Sequence, residues 1–296
     1  MSIAKQPSKL SLPQINPGVS SVLQFLARKF PSIPISVWRQ RMEDGKVHWH
    51  DGRLITPTTA YQPQQRVYYY REVNQEPCIP FDEEILFQDE QLLVAYKPHF
   101  LPVTPGGAYI NECLQNRLRD KTGISDLQAL HRLDRDTAGL VLFSIQPKNR
   151  QLYHHLFASR KIQKTYQAIA QVQADSVYVG QHWQLKNRLV KSTPSFLMKI
   201  TDGPANSHSN IKCVRLSANK ALFELSPISG KTHQLRVHMQ SLGIPILHDR
   251  YYPLLADKQD DNYSQPLQLL AKSINFIDPV NQHIRSFSCN KNLSLA

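Results

Sequence analysis

Apolar residues in the first quarter of the chain recur first at helical and then at strand spacing. Residues 22–30 and 37–42 place apolar side chains on one face of a helix, and an Asp-Gly pair follows the second segment as a helix stop. Residues 47–50 and 66–70 alternate as strands do, with another Asp-Gly turn signal between them. The pattern predicts a small unit of two helices and a hairpin sheet at 20–73.

The pattern changes after residues 74–81, a proline-containing stretch that we interpret as a linker. Predicted strands then occupy 85–89, 92–98, 140–144, 165–171, 211–216 and 221–225, and predicted helices occupy 111–121, 147–161 and 232–242. This mixture is typical of an α+β domain with a mainly antiparallel mixed sheet flanked by helices and loops. We therefore expect flexible ends at 1–19 and 291–296 and one large domain at 82–290.

The chain carries 35 Lys and Arg residues against 23 Asp and Glu residues, a formal net charge of +12. A surface of that sign attracts polyanions, of which nucleic acids and anionic membranes are the common ones. No apolar run approaches the roughly 20 residues that cross a bilayer, and the N-terminal residues contain no hydrophobic signal region. We expect a cytoplasmic protein, monomeric by default, that binds nucleic acid and no membrane.

Cysteine and histidine patterns argue against metal sites and disulfides. The four cysteines are far apart and form no C-x-x-C pair, so we expect reduced and mostly buried side chains. The histidine pairs lack the helical H-E-x-x-H pattern of zinc enzymes. The sequence gives no reason to expect a metal or another cofactor.

The segment LHRLDRDTAGLVLFS, residues 130–144, sets charged groups just before an apolar strand. It places Asp134 and Asp136 beside two arginines at the mouth of a packed sheet, where a site would be built. A carboxylate beside a guanidinium fits a covalent nucleophile, a general base, a metal ligand or an ordinary ion pair. From these residues alone the four alternatives stay open.

Four motifs resemble those of the RluA family of RNA pseudouridine synthases and follow in that family's order. HRLDRDTAGL resembles the signature HRLD-x-x-T-[SA]-G, KPHFLPV at 97–103 resembles the KPxxxPV element, and KTY at 164–166 resembles the K-x-Y element. PISGKTHQLRVH at 227–238 resembles P-x-[TS]-G-[RK]-T-H-Q-[IL]-R-x-H, and GIPILHD follows it. The resemblance extends from about residue 81 to about residue 287 and implies the family's catalytic fold.

The resemblance implies an enzyme that isomerises a specific uridine in structured RNA and needs no cofactor. It makes Asp134 the catalytic nucleophile. It makes Tyr166 the tyrosine that packs against the target base and takes part in proton handling, and Arg236 the arginine that pairs with the catalytic carboxylate. These three residues are the expected catalytic set.

Three more residues are expected to bind the substrate. Arg132 matches the family's arginine that fills the space left by the flipped nucleotide, and Leu269 matches an apolar residue that lines the uracil pocket. Lys231 stands where the family more commonly has arginine, which keeps the charge but removes bidentate geometry. Leu270 stands at the usual histidine of the family's L-L-H-A element, so substrate choice is where we expect a departure.

The chemistry that this family performs moves uracil from an N1–C1′ bond to a C5–C1′ bond without redox change. An ionised carboxylate can attack the sugar covalently or remove a sugar proton on the way to a glycal, and the sequence does not choose between these routes. A base inside a stacked helix is out of reach, so the nucleotide must flip out at a cost of about a few kcal/mol.

The order of elements at the N-terminus resembles the S4 RNA-binding module. The resemblance implies that Arg39, Arg41 and Lys46 contact RNA phosphates. An S4-like start favours ribosomal RNA as the substrate, with transfer RNA as the other possibility.

Two other functions remain as alternatives. One is a non-catalytic RNA-binding or ribosome-assembly factor that keeps the same fold and uses only its basic surface. The other is a metal-dependent nuclease built on His131, Asp134 and Asp136, which lacks a further cluster of acidic ligands.

Overall fold

A computed structural model describes residues 2–173, 176–257 and 259–295. The contacts between residues divide the chain into two units. The first consists of Met1–Pro77 and Gly106–Asn111, and the second of Cys78–Pro105 and Glu112–Ala296. The division after Pro77 falls inside the stretch 74–81 that we interpreted as a linker.

The first unit contains the two helices and the two strands that the hydrophobic pattern predicts. Its elements are β1 (Ser2–Ile3), β2 (Ser8–Ser11), α1 (Val22–Lys29), α2 (Ile35–Glu43), β3 (Val47–Trp49), β4 (Arg66–Tyr69) and β5 (Glu72–Val73). Helix α1 begins at Ser21, whose side chain accepts the Gln24 N–H at 3.2 Å. Apolar residues of α1 and α2 pack with Val47, Trp49 and Val67 into one core.

The two strands predicted at 47–50 and 66–70 pair as expected. Strand β3 pairs antiparallel with β4, and the sheet order is β2-β4-β3. The turn at Asp51-Gly52 also closes a single bridge, between His48 and Leu54.

Residues 1–19, which we expected to be a flexible tail, contribute two strands. Strand β1 pairs with β5, and β2 pairs with β4 along the edge of the sheet. Leu12 is 2% exposed and joins the core. The sequence SKLS has no sustained apolar period because only one face of this short edge strand is covered, which is why the pattern did not predict it.

Two of the three basic residues expected to contact phosphates are engaged within the unit. The Arg41 Nε donates to Glu72 at 3.0 Å, and the Lys46 Nζ donates to the same carboxylate at 2.6 Å. The Arg41 guanidinium also lies 5.0 Å from the centroid of the Trp38 ring. Both side chains are thus paired with Glu72, which lies 26 to 31 residues further along the chain and could not be identified as their partner from the sequence. Their contact with RNA phosphates stays a prediction.

The second unit is an α+β domain around an eleven-stranded sheet, as the sequence predicts. Its strands are β6 (Glu84–Gln88), β7 (Leu92–Lys97), β8 (Gln128–Ala129), β9 (Ala138–Ser144), β10 (Gln163–Gln171), β11 (His182–Lys191), β12 (Met198–Thr201), β13 (Ser207–Ser217), β14 (Lys220–Pro227), β15 (Leu269–Ile277) and β16 (Ile284–Ser288). Its helices are α3 (Leu114–Thr122), α4 (Arg150–Ala158) and α5 (Gln234–Ser241), with a 3₁₀ turn at Pro147–Asn149 before α4.

The main path of the sheet runs β12-β11-β13-β14-β10-β15-β9-β7-β6, with β16 added to β15 and β8 added to β9. Within the described ranges the pairings are antiparallel except for β15 with β9. Leu235 and Met239 of α5 pack on Phe223 and Leu269 of the sheet, and Tyr153 of α4 packs in a second core with Leu140.

Five strands of the second unit were not predicted: β8, β11, β12, β15 and β16. Strand β11 alternates half-buried Trp183 and Leu185 with exposed polar residues, a pattern that was present in the sequence and overlooked. Three of the four free cysteines are buried, in agreement with the expectation. In the part of the chain described here, no helix combines the length and apolar character needed to cross a bilayer.

Candidate active site

Asp134 lies in the loop that joins β8 to β9. Leu130 and Leu133, which precede the turn, are buried and fix the start of the loop to the core. The Thr137 N–H donates to the Asp134 carbonyl at 3.1 Å and closes the turn. The Asp134 carboxylate itself is 28% exposed, so it is held in place yet open to a substrate.

Strand β15 lies in the sheet between β9, which follows the HRLD segment, and β10, which contains the K-x-Y segment. Ala271 pairs with Gly139 on one side and with Tyr166 on the other. Gly139 has φ +120°, and a Cβ there would overlap the Ala271 backbone. Only glycine therefore allows β9 and β15 to approach this closely behind the Asp134 loop.

Lys97 supports the same loop from inside the protein. Its side chain is fully buried and donates to the carbonyls of Pro98, Leu101 and Arg135 at 2.8, 2.7 and 2.8 Å. Burial lowers the pKa of Lys97 to about 7, while the negative charges of Asp136 and Asp134 act in the opposite direction. The lysine of the KPxxxPV element thus has a structural role, since it binds the carbonyl of Arg135, the residue next to Asp134.

Arg236 contacts Asp134, but its closest carboxylate is Asp249. The guanidinium is 1% exposed, and its Nε and Nη2 donate to the two Asp249 oxygens at 2.8 and 2.6 Å. Its Nη1 lies 3.5 Å from the Asp134 Oδ2. Burial alone lowers the pKa of Arg236, but the hydrogen bonds and charge of Asp249 outweigh burial and raise this pKa above its usual value. Arg236 is therefore a fixed positive charge beside Asp134.

Asp249 is a site residue that the sequence analysis quoted within a motif but gave no role. Its side chain is 0% exposed, and its Oδ1 also accepts the N–H groups of Tyr251 and Tyr252 at 2.8 and 3.2 Å. Every oxygen of this carboxylate is hydrogen-bonded, as a buried charge requires. The signal in the sequence was the Asp that ends the segment GIPILHD, one residue after the apolar run IPIL.

Two tyrosines enclose the Arg236 guanidinium. Its carbon lies 4.6 Å from the centroid of the Tyr251 ring and 5.5 Å from that of Tyr252. The ring of Phe196, which is 49% exposed, lies 5.4 Å from Tyr251 on its other side. The sequence analysis missed these three aromatic residues, because nothing in their spacing links a hairpin at 196 to a turn at 251.

His233 lies between the tyrosines and Asp134. Its Nε2 is 4.0 Å from the Asp134 Oδ2, and its Nδ1 hydrogen-bonds with the Tyr252 hydroxyl at 2.9 Å. Burial lowers the pKa of His233, which favours the neutral ring. At φ 53° it forms the turn that starts α5 and orients Arg236.

Tyr166 is half-buried on β10 and packs against the core cluster that includes Leu235 and Leu269. Burial and the negative charge of Asp134 both raise the pKa of the Tyr166 phenol. Tyr166 is thus held as a neutral phenol beside the carboxylate. Leu269 is 3% exposed and belongs to the same cluster; its expected contact with uracil stays a prediction.

The two remaining predicted substrate-binding residues are exposed. Arg132 lies two residues before Asp134, and within the described ranges its guanidinium has no hydrogen-bond or ion-pair partner. The Lys231 backbone N–H donates to the Gln234 Oε1 at 3.0 Å, and its side chain extends into solvent. The structure thus gathers Asp134, Arg236 and Tyr166 and leaves Arg132 and Lys231 available at the surface.

The proposed metal site around His131 is not supported. The His131 Nε2 accepts the Leu142 N–H at 3.1 Å, so this nitrogen is used within the sheet. Among the described residues no group of three or more His, Cys, Asp or Glu side chains could hold a metal ion. The His131 ring packs 4.9 Å from Phe157, so the residue is part of the core.

We expect His131 to make the protein less stable as the pH falls. Burial lowers the pKa of His131 to about 3, below the roughly 6.5 of an unfolded histidine. The unfolded chain therefore gains a proton that the folded protein does not accept, and stability is lost as the pH falls from about 6.5 toward about 3. Between about pH 7.5 and about pH 5.5, His131 should lower the free energy of unfolding by ~1.4 kcal/mol.

Urea unfolding of wild type and His131→Gln at these two pH values measures the difference. Glutamine can still accept the Leu142 N–H but does not titrate. The variant should lose less stability than wild type on acidification, whereas His50→Gln, at an exposed position, should behave as wild type. Equal pH dependence of wild type and His131→Gln would contradict the prediction.

Comparisons with known proteins identify the family of this chain. The family model described as RNA pseudouridylate synthase matches residues 91–241. Ribosomal large subunit pseudouridine synthase C of Haemophilus influenzae is 29% identical over 280 residues, which cover 90% of this chain and 86% of that protein. Dual-specificity RNA pseudouridine synthase RluA of Vibrio vulnificus is 30% identical over 213 residues, which cover 69% of this chain and 81% of that protein.

The fold is also similar to that of a solved structure. Human RNA Pseudouridylate Synthase Domain Containing 1 superimposes with a TM-score of 0.59 at 19% sequence identity. The match covers 73% of this chain and 86% of that protein. At this identity the likeness concerns the fold alone.

Proposed function

This chain belongs to the RNA pseudouridylate synthase family and is an RNA pseudouridine synthase, and we propose that Asp134 is its catalytic carboxylate and large-subunit ribosomal RNA its substrate. The observation that carries the catalytic assignment is the pairing of a partly exposed carboxylate with a buried guanidinium. Asp134 is 28% exposed and lies 3.5 Å from Arg236, which is held by Asp249. Because Asp249 already pairs with Arg236, Asp134 is not required as the counterion of this guanidinium.

Arg236 places a fixed positive charge 3.5 Å from the Asp134 Oδ2. An ionised carboxylate is the form that attacks C1′ of the ribose or removes a proton from the sugar on the way to a glycal. In either route the N1–C1′ bond breaks and the C5–C1′ bond forms. The C5 proton leaves, N1 gains a proton, and no oxidant or reductant is consumed.

Tyr166 and Leu269 are proposed to receive the uracil. Leu269 offers an apolar wall, and the Tyr166 ring offers a flat surface against which a base stacks. Because Tyr166 is held as a neutral phenol, it can donate a hydrogen bond and does not act as a base in the resting enzyme. The uracil would then rotate between its two bonds while in contact with these two side chains.

Arg132 and Lys231 are proposed to bind the RNA around the flipped nucleotide. Arg132 is exposed and close in sequence to Asp134, so it can occupy the gap that the flipped nucleotide leaves in the stack. Lys231 precedes α5, where its exposed ammonium group can pair with a phosphate. These contacts offset the cost of unstacking the target.

The choice of RNA follows the relatives. The Haemophilus influenzae relative is named for the ribosomal large subunit, and it covers 90% of this chain. The Vibrio vulnificus relative is named as dual-specificity. Transfer RNA, the other possibility in the sequence analysis, stays the second candidate. A non-catalytic RNA-binding role is not favoured, because Asp134, Tyr166 and Arg236 are all in place.

Deleting the gene should remove one or more pseudouridines from large-subunit ribosomal RNA. Pseudouridine mapping of total RNA from cells with and without the gene measures this directly, and the purified protein should restore the modification in a transcript of the same region. If ribosomal RNA were unchanged and a transfer RNA lost its pseudouridine, the proposed substrate would be wrong while the proposed chemistry would stand.

A further inference from the structure

The three-stranded sheet of the first unit has one face that carries no core residues. Leu10 of β2, Trp49 of β3 and Val67 of β4 point into the core. Because side chains alternate along a strand, their sequence neighbours point the other way. We call this second side the outer sheet face; it consists of Lys9, Ser11, His48, Arg66 and Tyr68.

Aromatic rings lie at the centre of the outer sheet face. His48 and Tyr68 are paired in register, and their rings are stacked with centroids 5.4 Å apart and planes at 11°. The His48 Nδ1–H donates to the Trp49 carbonyl at 2.7 Å, which fixes the orientation of its ring. Tyr70 lies beside them, with its ring centroid 6.1 Å from that of His48. All three side chains remain partly exposed.

Positive charge borders these rings. Lys9 pairs in register with Tyr68, and Ser11 pairs in register with Arg66 on the same face. Both basic side chains are exposed, and within the described ranges neither has a hydrogen-bond or ion-pair partner. The outer sheet face itself contains no acidic residue.

The acidic residues of this unit are mostly engaged elsewhere. Residues 2–77 include ten Lys and Arg residues and five Asp and Glu residues. Asp44, Asp51 and Glu72 form ion pairs with neighbouring basic side chains, and Glu76 accepts the backbone N–H groups of Ile110 and Asn111. The field at the outer sheet face is therefore positive and suits an anion.

We propose that the outer sheet face binds single-stranded RNA, with one base stacked on the Tyr68 ring and phosphates paired with Lys9 and Arg66. A sheet that combines flat aromatic rings with unpaired basic side chains matches both parts of a nucleotide, the base and the phosphate. The proposal rests on the proposed function and deepens it, since it concerns how the first unit binds RNA.

The helix face of the same unit is a poorer candidate. Of the basic residues there, Arg41 is 8% exposed and bound to Glu72, and Lys46 is shared between Asp44 and Glu72. Arg39 is exposed, but no aromatic side chain with a free face accompanies it on α2, where Trp38 is fully buried. This difference allows the two faces to be tested against each other.

The test measures binding of the full-length protein to a labelled oligoadenylate of about ten nucleotides, a length that one such module covers. This RNA contains no uridine, so it cannot be a substrate at Asp134. Tyr68→Ala should weaken binding about tenfold, as loss of one base stack does. Tyr68→Phe keeps the ring and should bind as wild type, and Arg39→Ala on the helix face should also bind as wild type.

Salt dependence separates the two kinds of contact. Lys9→Ala should lower the slope of log affinity against log salt by about 0.7, the value for one phosphate contact on a single strand. Tyr68→Ala should lower the affinity and leave the slope unchanged, because stacking releases no counterion. Circular dichroism identifies any variant that does not fold. If Tyr68→Ala does not fold, Lys9→Ala still tests the proposal, because Lys9 is exposed and its replacement should not affect folding.

Three results would overturn the proposal. Wild-type affinity and slope in both Tyr68→Ala and Lys9→Ala would exclude RNA from the outer sheet face, and a loss confined to Arg39→Ala would move RNA to the helix face. A change in the oligomeric state of Tyr68→Ala, without a change in RNA affinity, would make the face a protein contact. Failure of the wild-type enzyme on ribosomal RNA would instead refute the proposed substrate and leave oligoadenylate binding unaffected.

Discussion

Replacing Asp134 by Asn should abolish pseudouridine formation while leaving the protein folded and able to bind RNA. The amide has the same shape but is neither a nucleophile nor a base, and loss of such a group costs at least roughly 10³-fold in turnover. The fold should survive because Arg236 keeps both of its hydrogen bonds to Asp249. No buried charge is left without a partner, so the several kcal/mol that an orphaned buried ion costs are not incurred.

The measurement is single-turnover conversion of a ribosomal RNA fragment at saturating enzyme, with thermal unfolding and RNA affinity determined on the same preparations. Asp136→Asn is the matched control, since it removes the same charge two residues away in the same loop. The Asp136 carboxylate contacts Arg135 at 2.9 Å and not Arg236, so this variant should keep substantial activity. Normal product formation by Asp134→Asn would end the assignment of Asp134.

The ordered motifs predicted the residues at the centre of the site but not Asp249, the residue that fixes Arg236 in position. HRLD, K-x-Y and QLR identified Asp134, Tyr166 and Arg236, because each is embedded in a run of specific neighbours. Asp249 ends the segment GIPILHD, but its role depends on the hydrogen bonds to Arg236, which only the tertiary structure reveals. The sequence thus predicted an Asp134–Arg236 pair where the structure has Arg236 bound more closely by Asp249.

The fold class followed from the sequence, whereas the register of pairing did not. Alternating apolar residues predicted six strands of the second unit and the antiparallel character of the sheet. The parallel pairing of β15 with β9 depends on Gly139, whose φ of +120° cannot be inferred from a single glycine in a motif. Similarly, the strand at Ser8–Ser11 forms because β4 offers an edge, a condition outside the segment itself.

Replacing Arg236 by Lys should be far more damaging than replacing Lys231 by Arg, although both exchanges keep the charge. The Arg236 fork makes two parallel bonds to Asp249 and still presents Nη1 to Asp134. An ammonium group is a point charge on a shorter stem and cannot serve both carboxylates in this geometry. We expect Arg236→Lys to lose ~3 kcal/mol of stability, in the range for breaking a buried ion pair, and about 100-fold in single-turnover rate, the lower end for a misplaced catalytic group.

Lys231→Arg, by contrast, changes an exposed side chain and keeps the hydrogen bond from the backbone N–H of residue 231 to Gln234. Its single-turnover rate should equal that of wild type, because saturating enzyme isolates chemistry from binding. Asp249→Asn tests whether Asp249 orients the Arg236 guanidinium, because this variant leaves Asp134 itself unchanged. If the single-turnover rate falls by more than the fraction of folded protein does, the orientation of Arg236 contributes to the reaction. If Arg236→Lys turned over at the wild-type rate while Lys231→Arg were inactive, Asp134 would depend on a different cation, and the pairing of Arg236 with Asp134 would have to be abandoned.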